Sequence, residues 1–487
     1  MPHRARLVLC ALILLSGVQL SWAASSNASQ PAPPAPSHPL VRKAPPPRPI
    51  DYDKITQEAA DLLSKYVQID TTNPPGNESA AAHFLKEKFL ADGIAANTWE
   101  PAPGRGIVAA RLHGIGRHNK AILLLSHMDV VPADPKQWKV PPFSGRIDNG
   151  VIWGRGTRDD KGPGVINLMA MLALKRSGIL LDRDVLFVAT GDEEEGGRMG
   201  AGWFVDHQQP VYSDVGYVLN EGGGIAVEPN GKKLYAVSVV EKIPLWLRIT
   251  ATGPAGHAAA PPAETAVTEL VHALQRLIEF HAPIRVLTPV ANFYHELAVL
   301  GARPPAFLDL DKALQDPGFA KQFDSVPFQN AAVRDTVAPT VLDASNKTNV
   351  ISPVAYAELD CRLLPGSDPA AFKAELIKII DDKNIKVDEL LNFPSASSPQ
   401  KTELMSAIET LARRDDGEAP VVATLLGGFT DSHYFRLKKI TAYGFEPIES
   451  MVGQDSGVHG VNEHIEVKQL GDAIHRMVDL LTILGGR

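Results

Sequence analysis

Between Asp51 and Glu221 the chain alternates helical and extended periods of apolar residues. The stretch "ITQEAADLLSKYVQI" puts Leu62, Leu63, Tyr66 and Val67 on one side, as a helix buried along one face requires. "DTTNPPGNE" interrupts it, and a second helix is predicted from Glu78 through "AAAHFLKEKFLADG", closed by Gly93. "GIVAARL", "AILLLSH", "DVLFVAT" and "GYVLNE" are short apolar runs bounded by turn residues, which predicts buried strands. Between the second and third lies a helix, "GVINLMAMLALKRSG", ending at Gly178. Strands alternating with helices predict an α/β domain, a mostly parallel sheet with helices on both faces.

The period changes near Lys242. "IPLWLRIT" alternates Ile243, Leu245, Leu247 and Ile249 with Trp246, Arg248 and Thr250, the pattern of a half-buried antiparallel strand. "ETAVTELVHALQRLIEF" follows as a helix with Val267, Leu270, Val271, Leu274 and Ile278 on one face. After a long Pro-containing insert, "AYAELDCRLLPG" turns Leu359, Cys361 and Leu363 one way and Glu358, Asp360 and Arg362 the other. The expected organisation is a catalytic domain over 51–242, an inserted smaller α+β domain over 243–365, and a return to the first domain over 366–487. "FKAELIKII" and "LMSAIETLARR" are assigned to that return as helices.

The first 50 residues belong to neither. "MPHRARLVLCALILLSGVQLSWAASS" has a basic start, an apolar run and a small-residue exit, so 1–23 reads as a cleaved secretory signal rather than a membrane span. Residues 24–50, with "QPAPPAPSHPLVRKAPPPRP", read as a Pro-rich extended linker. Export to the periplasm or the medium follows as an expectation, with no stable membrane insertion after cleavage. Removing two arginines with the signal leaves 46 of the 48 basic residues against 56 acidic ones, and a net charge of −10 argues against nucleic-acid binding. Cys361 is then the only cysteine, so neither an intramolecular disulfide nor a multi-cysteine metal site is available.

The chemistry gathers at strand ends. In "LLLSHMDVVP", His127 and Asp129 are two apart on an extended run, so they share a face where open α/β sheets place their ligand crevice. An isolated pair of this kind is ordinarily a salt-bridged strand end. "WGRGTRDDKGPG" sets Asp159 and Asp160 before a helix, ordinarily a capping arrangement, and its glycines do not follow the dinucleotide fingerprint. "GDEEEGG" closes an apolar strand with four successive carboxylates that repel one another unless cations are near. "YVLNEGGG" puts Glu221 at a further strand end, and "DSGVHGVNEHIE" offers His459 and His464 before the last helix. Together these supply histidines and carboxylates without cysteine, a donor set suited to zinc, with cobalt or manganese as substitutes. There is enough for two ions sharing one carboxylate, with a glutamate left over as base.

In order, "SHMDVVP", "GRGTRDDKG", "DEEEGG", "NEGG" and "HGVNE" resemble the motifs of the M20 family of dinuclear zinc peptidases, over nearly everything from Asp51 onward. The resemblance implies two zinc ions per subunit. It makes His127, Asp159, Glu194, Glu221 and His459 metal ligands, with Asp159 bridging. Asp129 would orient His127, and Glu193 would be the general base. His459 rather than His464 is implied because the family's histidine stands three residues before the Asn-Glu pair, here Asn462-Glu463. Asp160 and Glu195 fall at variable positions and are expected to be spectators. The inserted domain resembles the family's lid, through which two copies associate. "GPAGHAAAPP" would supply His257 to the oxyanion, and "KTNVISP" and "DCRLLPG" would supply Asn349 and Arg362 to the substrate's carbonyl and carboxylate. "GGFTDSHYF" resembles the family's Gly-Gly loop, with Gly428 near the substrate carboxylate, although Phe429-Thr430 and His433 depart from its usual form. The longer lid looks most like the carboxypeptidase S and N-acyl-amino-acid hydrolase branch.

The expected activity is an exported dinuclear zinc amidohydrolase, of carboxypeptidase or dipeptidase type, acting on a small peptide next to its free α-carboxylate. An N-acyl-amino-acid deacylase would use the same machinery. A catalytically inactive amino-acid or peptide-binding protein is a third reading, against which the full set of ligands and base weighs. A small-molecule oxidoreductase is a weaker reading still, because the sequence has no Gly-x-Gly-x-x-Gly turn after a strand.

Overall fold

In the computed structural model the described residues are 46–118 and 120–486, so the signal segment and most of the Pro-rich stretch lie outside them. From Pro46 onward the chain forms one unit. The predicted apolar runs become Arg105–Leu112, Ala121–His127, Val185–Thr190 and Val215–Asn220, all within a ten-stranded sheet. Val185–Thr190, Ala121–His127, Val215–Asn220 and Thr441–Gly444 lie side by side and parallel, the centre of that sheet. Alternation along Ala121–His127 sends Ile122 and Leu124 into one core and Leu123 and Leu125 into another. The first core is covered by helices Tyr52–Val67, Lys161–Ser177, Glu403–Asp416 and Val467–Leu484. Phe204, Tyr212 and Phe435 cover the second. Lys161–Ser177 is apolar nearly all round because it is buried nearly all round, and Gly178 ends it in the left-handed region at φ 74°.

The second sheet is antiparallel, in the order Thr336–Asp343, Val354–Leu363, Ile243–Thr252, Ile385–Asn392. Ile243, Leu245, Leu247 and Ile249 face its core together with Leu359, Cys361 and Leu363, as their alternation requires.

Three assignments differ from the sequence pattern. Pro369–Ile380 packs Phe372, Leu376 and Ile380 into the second sheet's core, and Ile385–Asn392 supplies that sheet's fourth strand, so the sheet extends past 365. The insert helix Thr288–Val299 and the short helices to Ala332 turn Val290, Tyr294, Leu297 and Phe323 onto Leu234 and Val422 of the large sheet. In Ala266–Glu279 the buried stripe is Ala266, Leu270, Ala273, Leu274 and Leu277, whereas Val271 and Ile278 are 49% and 62% exposed. The two alanines let that helix approach the sheet closely, which bulkier valines would prevent. Among the described residues no helix is long and apolar enough to cross a membrane.

Candidate metal centre

Three neighbouring parallel strands deliver their carboxyl ends to one edge of the large sheet. Ala121–His127 ends in His127, Val185–Thr190 leads into the Gly191–Gly197 acidic turn, and Val215–Asn220 leads into Glu221. His127 is 2% exposed. Its Nδ1 lies 3.0 Å from the backbone oxygen of Asp129, which can only accept, so Nδ1 carries a proton. Its Nε2 faces Oδ1 of Asp159 at 2.9 Å and Oε1 of Glu221 at 3.7 Å. Oδ2 of Asp159 stands 3.1 Å from Nε2 of His459, which is also 3.2 Å from Oε2 of Glu194. Asp159 therefore turns one oxygen to each of two imidazoles.

Two sets of side chains bring donor atoms within 4.8 Å of one another: His127 with Glu193 and Glu221, and His127 with Asp159 and Glu194. The geometry thus places Glu193 in the same volume as the expected ligands. Burial, and then Glu221, push the Glu193 carboxyl well above the usual range; burial and Asp159 do the same to Glu221. Burial opposes charge on His127, yet its hydrogen bonds to Asp129 and Asp159 hold its pKa well above the ordinary imidazole value. Asp159 and Glu194 raise that of His459 to about 10. Oε1 of Glu194 is buried and accepts no hydrogen bond among the described residues. Carboxylate oxygens, one of them orphaned, gathered with imidazole nitrogen and with no cysteine in either set, form a donor set that fits divalent metal.

Asp129 anchors the arrangement. Its Oδ1 accepts from the Glu193 N–H at 3.1 Å, and its Oδ2 from the Glu194 N–H at 3.0 Å and from Nδ2 of Asn73 at 2.8 Å. The side chain of Asn73 accepts in turn from Arg105 at 2.8 Å. Glu463 is fully buried and binds the loop that carries Asp159. Its oxygens accept from the backbone N–H groups of Gly156, Arg158 and Asp159 at 3.0, 2.7 and 3.1 Å, and from Arg155 at 2.8 Å. Arg155 also donates to Gly460 O at 2.6 Å, tying that loop to the one bearing His459. Asn73 and Glu463 were not singled out for these roles from the sequence. The one available signal was an acid within a glycine-containing loop beside a candidate histidine.

Asp160 is not a spectator. It stands at the N-cap position of the Lys161–Ser177 helix without making a side-chain cap, and its Oδ2 accepts from the His127 N–H at 3.0 Å. Glu195 is exposed. His464 packs on Trp153 at 4.6 Å and donates through Nδ1 to Asn462 O at 2.8 Å.

Residues 123–482 match the profile described as Peptidase family M20/M25/M40. The chain belongs to that family. It is 31% identical over 378 residues to the N-fatty-acyl-amino acid synthase/hydrolase of Homo sapiens, spanning 74% of this chain and 73% of that one. It is 28% identical over 379 residues to the probable carboxypeptidase S-like 2 of Dictyostelium discoideum, spanning 75% and 72%. Of solved structures, an M20 family metallo-carboxypeptidase from Sulfolobus solfataricus shares the fold with a TM-score of 0.69 at 21% identity, over 89% of this chain and 99% of that one. As a family M20 chain the protein is a hydrolytic enzyme of a metal-dependent, typically zinc-dependent, class.

The remaining residues of this M20 chain lie on the second sheet and the loops facing it. His257 is exposed on a two-stranded ribbon, Gly256–His257 with Val350–Ile351, and its Nδ1 accepts from the Ala259 N–H at 3.0 Å. Asn349 adjoins it, its carbonyl accepting from the Ala258 N–H at 3.2 Å. Neither side chain hydrogen-bonds to the acidic cluster among the described residues. Arg362 gives Nε and Nη2 to Asp360 at 2.7 and 3.0 Å, while Nη1 is buried without a partner among the described residues. Gly428 has no heavy atom within 4 Å of where a Cβ would stand.

Proposed function

We propose that this family M20 chain is an exported two-zinc amidohydrolase that cleaves an amide bond next to a free α-carboxylate. The observation that carries the reading is Asp159, with one carboxylate oxygen toward His127 and the other toward His459. His127, Asp159 and Glu221 would hold one ion, and Asp159, Glu194 and His459 the other. Cobalt or manganese suits the same donors. Metal bound there supplies Lewis acidity toward the amide carbonyl and the attacking water.

Glu193 acts as general base. Its carboxylate takes a proton from water as the oxygen adds to the amide carbon, and returns it to the nitrogen as the C–N bond breaks. In the metal-free chain burial, and then Glu221, hold its pKa above the ordinary carboxylate value, the direction that favours proton uptake. Asp129 fixes the Glu193–Glu194 turn through two backbone N–H groups and stands 3.5 Å from Nδ1 of His127. His257 serves the tetrahedral oxyanion once its ribbon is brought to the pocket, from the same chain or from a second copy associated through the lid. Asn349 contacts the carbonyl, Arg362 offers Nη1 to the α-carboxylate, and Gly428 leaves room beside it.

A carboxypeptidase, a dipeptidase and an N-acyl-amino-acid deacylase all cleave this bond. The carboxypeptidase S-like relative supports a peptide substrate, and the N-fatty-acyl-amino acid hydrolase supports an acylated amino acid. Amine release from dipeptides and N-acyl amino acids, with zinc and after chelation, tests the reading. Chelator-sensitive release is expected; release indifferent to chelation, or none with zinc confirmed bound, overturns it. The signal pattern of 1–23 supports export, and an N-terminus near Ala24 on protein outside the cytoplasm is the matching observation.

A further inference from the structure

Aromatic side chains that no catalytic step uses line the junction between the antiparallel sheet and the carboxyl edge of the large one. Phe429 stands edge-on to Phe393, with centroids 5.3 Å apart, and to Trp246 at 6.2 Å, and the Arg362 guanidinium lies 4.9 Å from its ring. Phe393 stacks on His433 at 4.0 Å. This wall abuts the candidate metal centre: a Cβ built on Gly196, two residues past Glu194, would meet Leu391 Cδ1 at 3.0 Å and Phe393 Cζ at 3.2 Å.

Three features distinguish it from a filled core. Trp246, Leu391 and Phe429 keep part of their surface in solvent. Gly427 and Gly428, beside Phe429, are outside the left-handed region and have open space where side chains would project, so their bareness leaves room rather than serving the backbone. Finally, Nη1 of Arg362, whose guanidinium lies against the Phe429 ring, is buried without a partner among the described residues. Buried polar atoms are ordinarily satisfied, and this one is a donor that a ligand's carboxylate would complete, beside rings that would take its apolar part.

We propose that this wall is the subsite for the side chain of the amino acid that bears the free α-carboxylate, and that it selects aromatic and large aliphatic side chains over small or acidic ones. Position rests on the amidohydrolase reading, which puts the α-carboxylate on Arg362. With the carboxylate there, the adjoining side chain falls on Phe429. Arg362 already gives two nitrogens to Asp360, so it has one left for a single carboxylate, and an acidic side chain would meet Asp360 unpaired. An apolar ring or branched chain instead gains contact with Phe429, Trp246 and Phe393.

The test compares N-acetyl-L-phenylalanine, N-acetyl-L-leucine, N-acetylglycine and N-acetyl-L-aspartate. Binding is measured by calorimetry on zinc-loaded Glu193→Gln protein, and hydrolysis on the wild type. The phenylalanine and leucine derivatives should bind about tenfold or more tighter than the other two. Phe429→Ala should shrink that ratio to roughly threefold with zinc content unchanged, and Phe429→Tyr should keep it. Where Phe429→Ala fails to fold, Trp246→Leu decides by the same ratio. Equal affinity for all four compounds, or weakening of all four alike in Phe429→Ala, overturns the subsite. Selective binding without any hydrolysis by the wild type overturns the amidohydrolase reading and leaves the subsite standing.

Discussion

Glu193 and Asp159 occupy one volume but should answer to substitution differently. Glutamine at 193 keeps the size of the side chain and loses the ability to take a proton. Glu193→Gln should therefore retain two zinc ions per chain by elemental analysis while kcat falls by about 10²- to 10⁴-fold. Asp159→Ala removes the carboxylate that faces both imidazoles, and the expected result is loss of metal. Full occupancy in that variant would transfer the shared position to another carboxylate. Glu463 works one step behind. Its four donors require an acceptor at both oxygens, and an amide nitrogen at one of them would face an N–H or the Arg155 guanidinium. Glu463→Gln should weaken zinc binding by about 10- to 100-fold, read by competition with a chelating dye. Unchanged affinity would show that the loop holds Asp159 without it.

At the scale of elements, what could be read from the sequence was what depends on period. Ala121–His127 and Val185–Thr190 were legible as apolar runs, and His127, Asp129, Glu193, Glu194 and Glu221 were legible because they follow directly where such runs stop. Asn73 and Glu463 were not, because each acts on a partner distant in sequence, Asp129 and Asp159 respectively, and no local pattern encodes that meeting. The same limit misplaced the stripe of Ala266–Glu279. Period shows which residues share a face, whereas the neighbouring layer decides which face is buried, and here two alanines did. A pair of substitutions makes this quantitative. Leu168 is fully buried within Lys161–Ser177, and Leu168→Ala should cost about 2–5 kcal/mol in urea unfolding of zinc-saturated protein. Val271 points outward, and Val271→Ala should stay within about 0.5 kcal/mol. Comparable losses at the two positions would mean that the outer face of that helix is covered in solution.

For the whole molecule, the acidic cluster couples stability to metal and to pH. In metal-free protein the carboxyls of Glu193 and Glu221 are raised, chiefly by burial, so the stability they contribute is complete below the ordinary glutamate value and declines as pH rises above it. His459, raised to about 10 by Asp159 and Glu194, has the same sign: its contribution is full below about 6.5 and is lost as pH climbs through 10. His433 runs the other way, because burial lowers its pKa and its contribution is lost as pH falls below the ordinary imidazole value. Ligation demands deprotonated carboxylates and neutral imidazoles, so protons compete with metal at low pH and release it. Metal that binds the folded chain alone adds about 2.7 kcal/mol at a hundredfold excess over its dissociation constant. The melting-temperature gap between zinc-loaded and chelated protein should therefore widen between about pH 5.5 and 8.5, as the metal-free chain weakens and zinc binds more tightly. Calorimetric scans of both forms across that range are the measurement. A gap that is constant, or widest at the acid end, would mean that protons and metal do not compete for the carboxylates around Asp159.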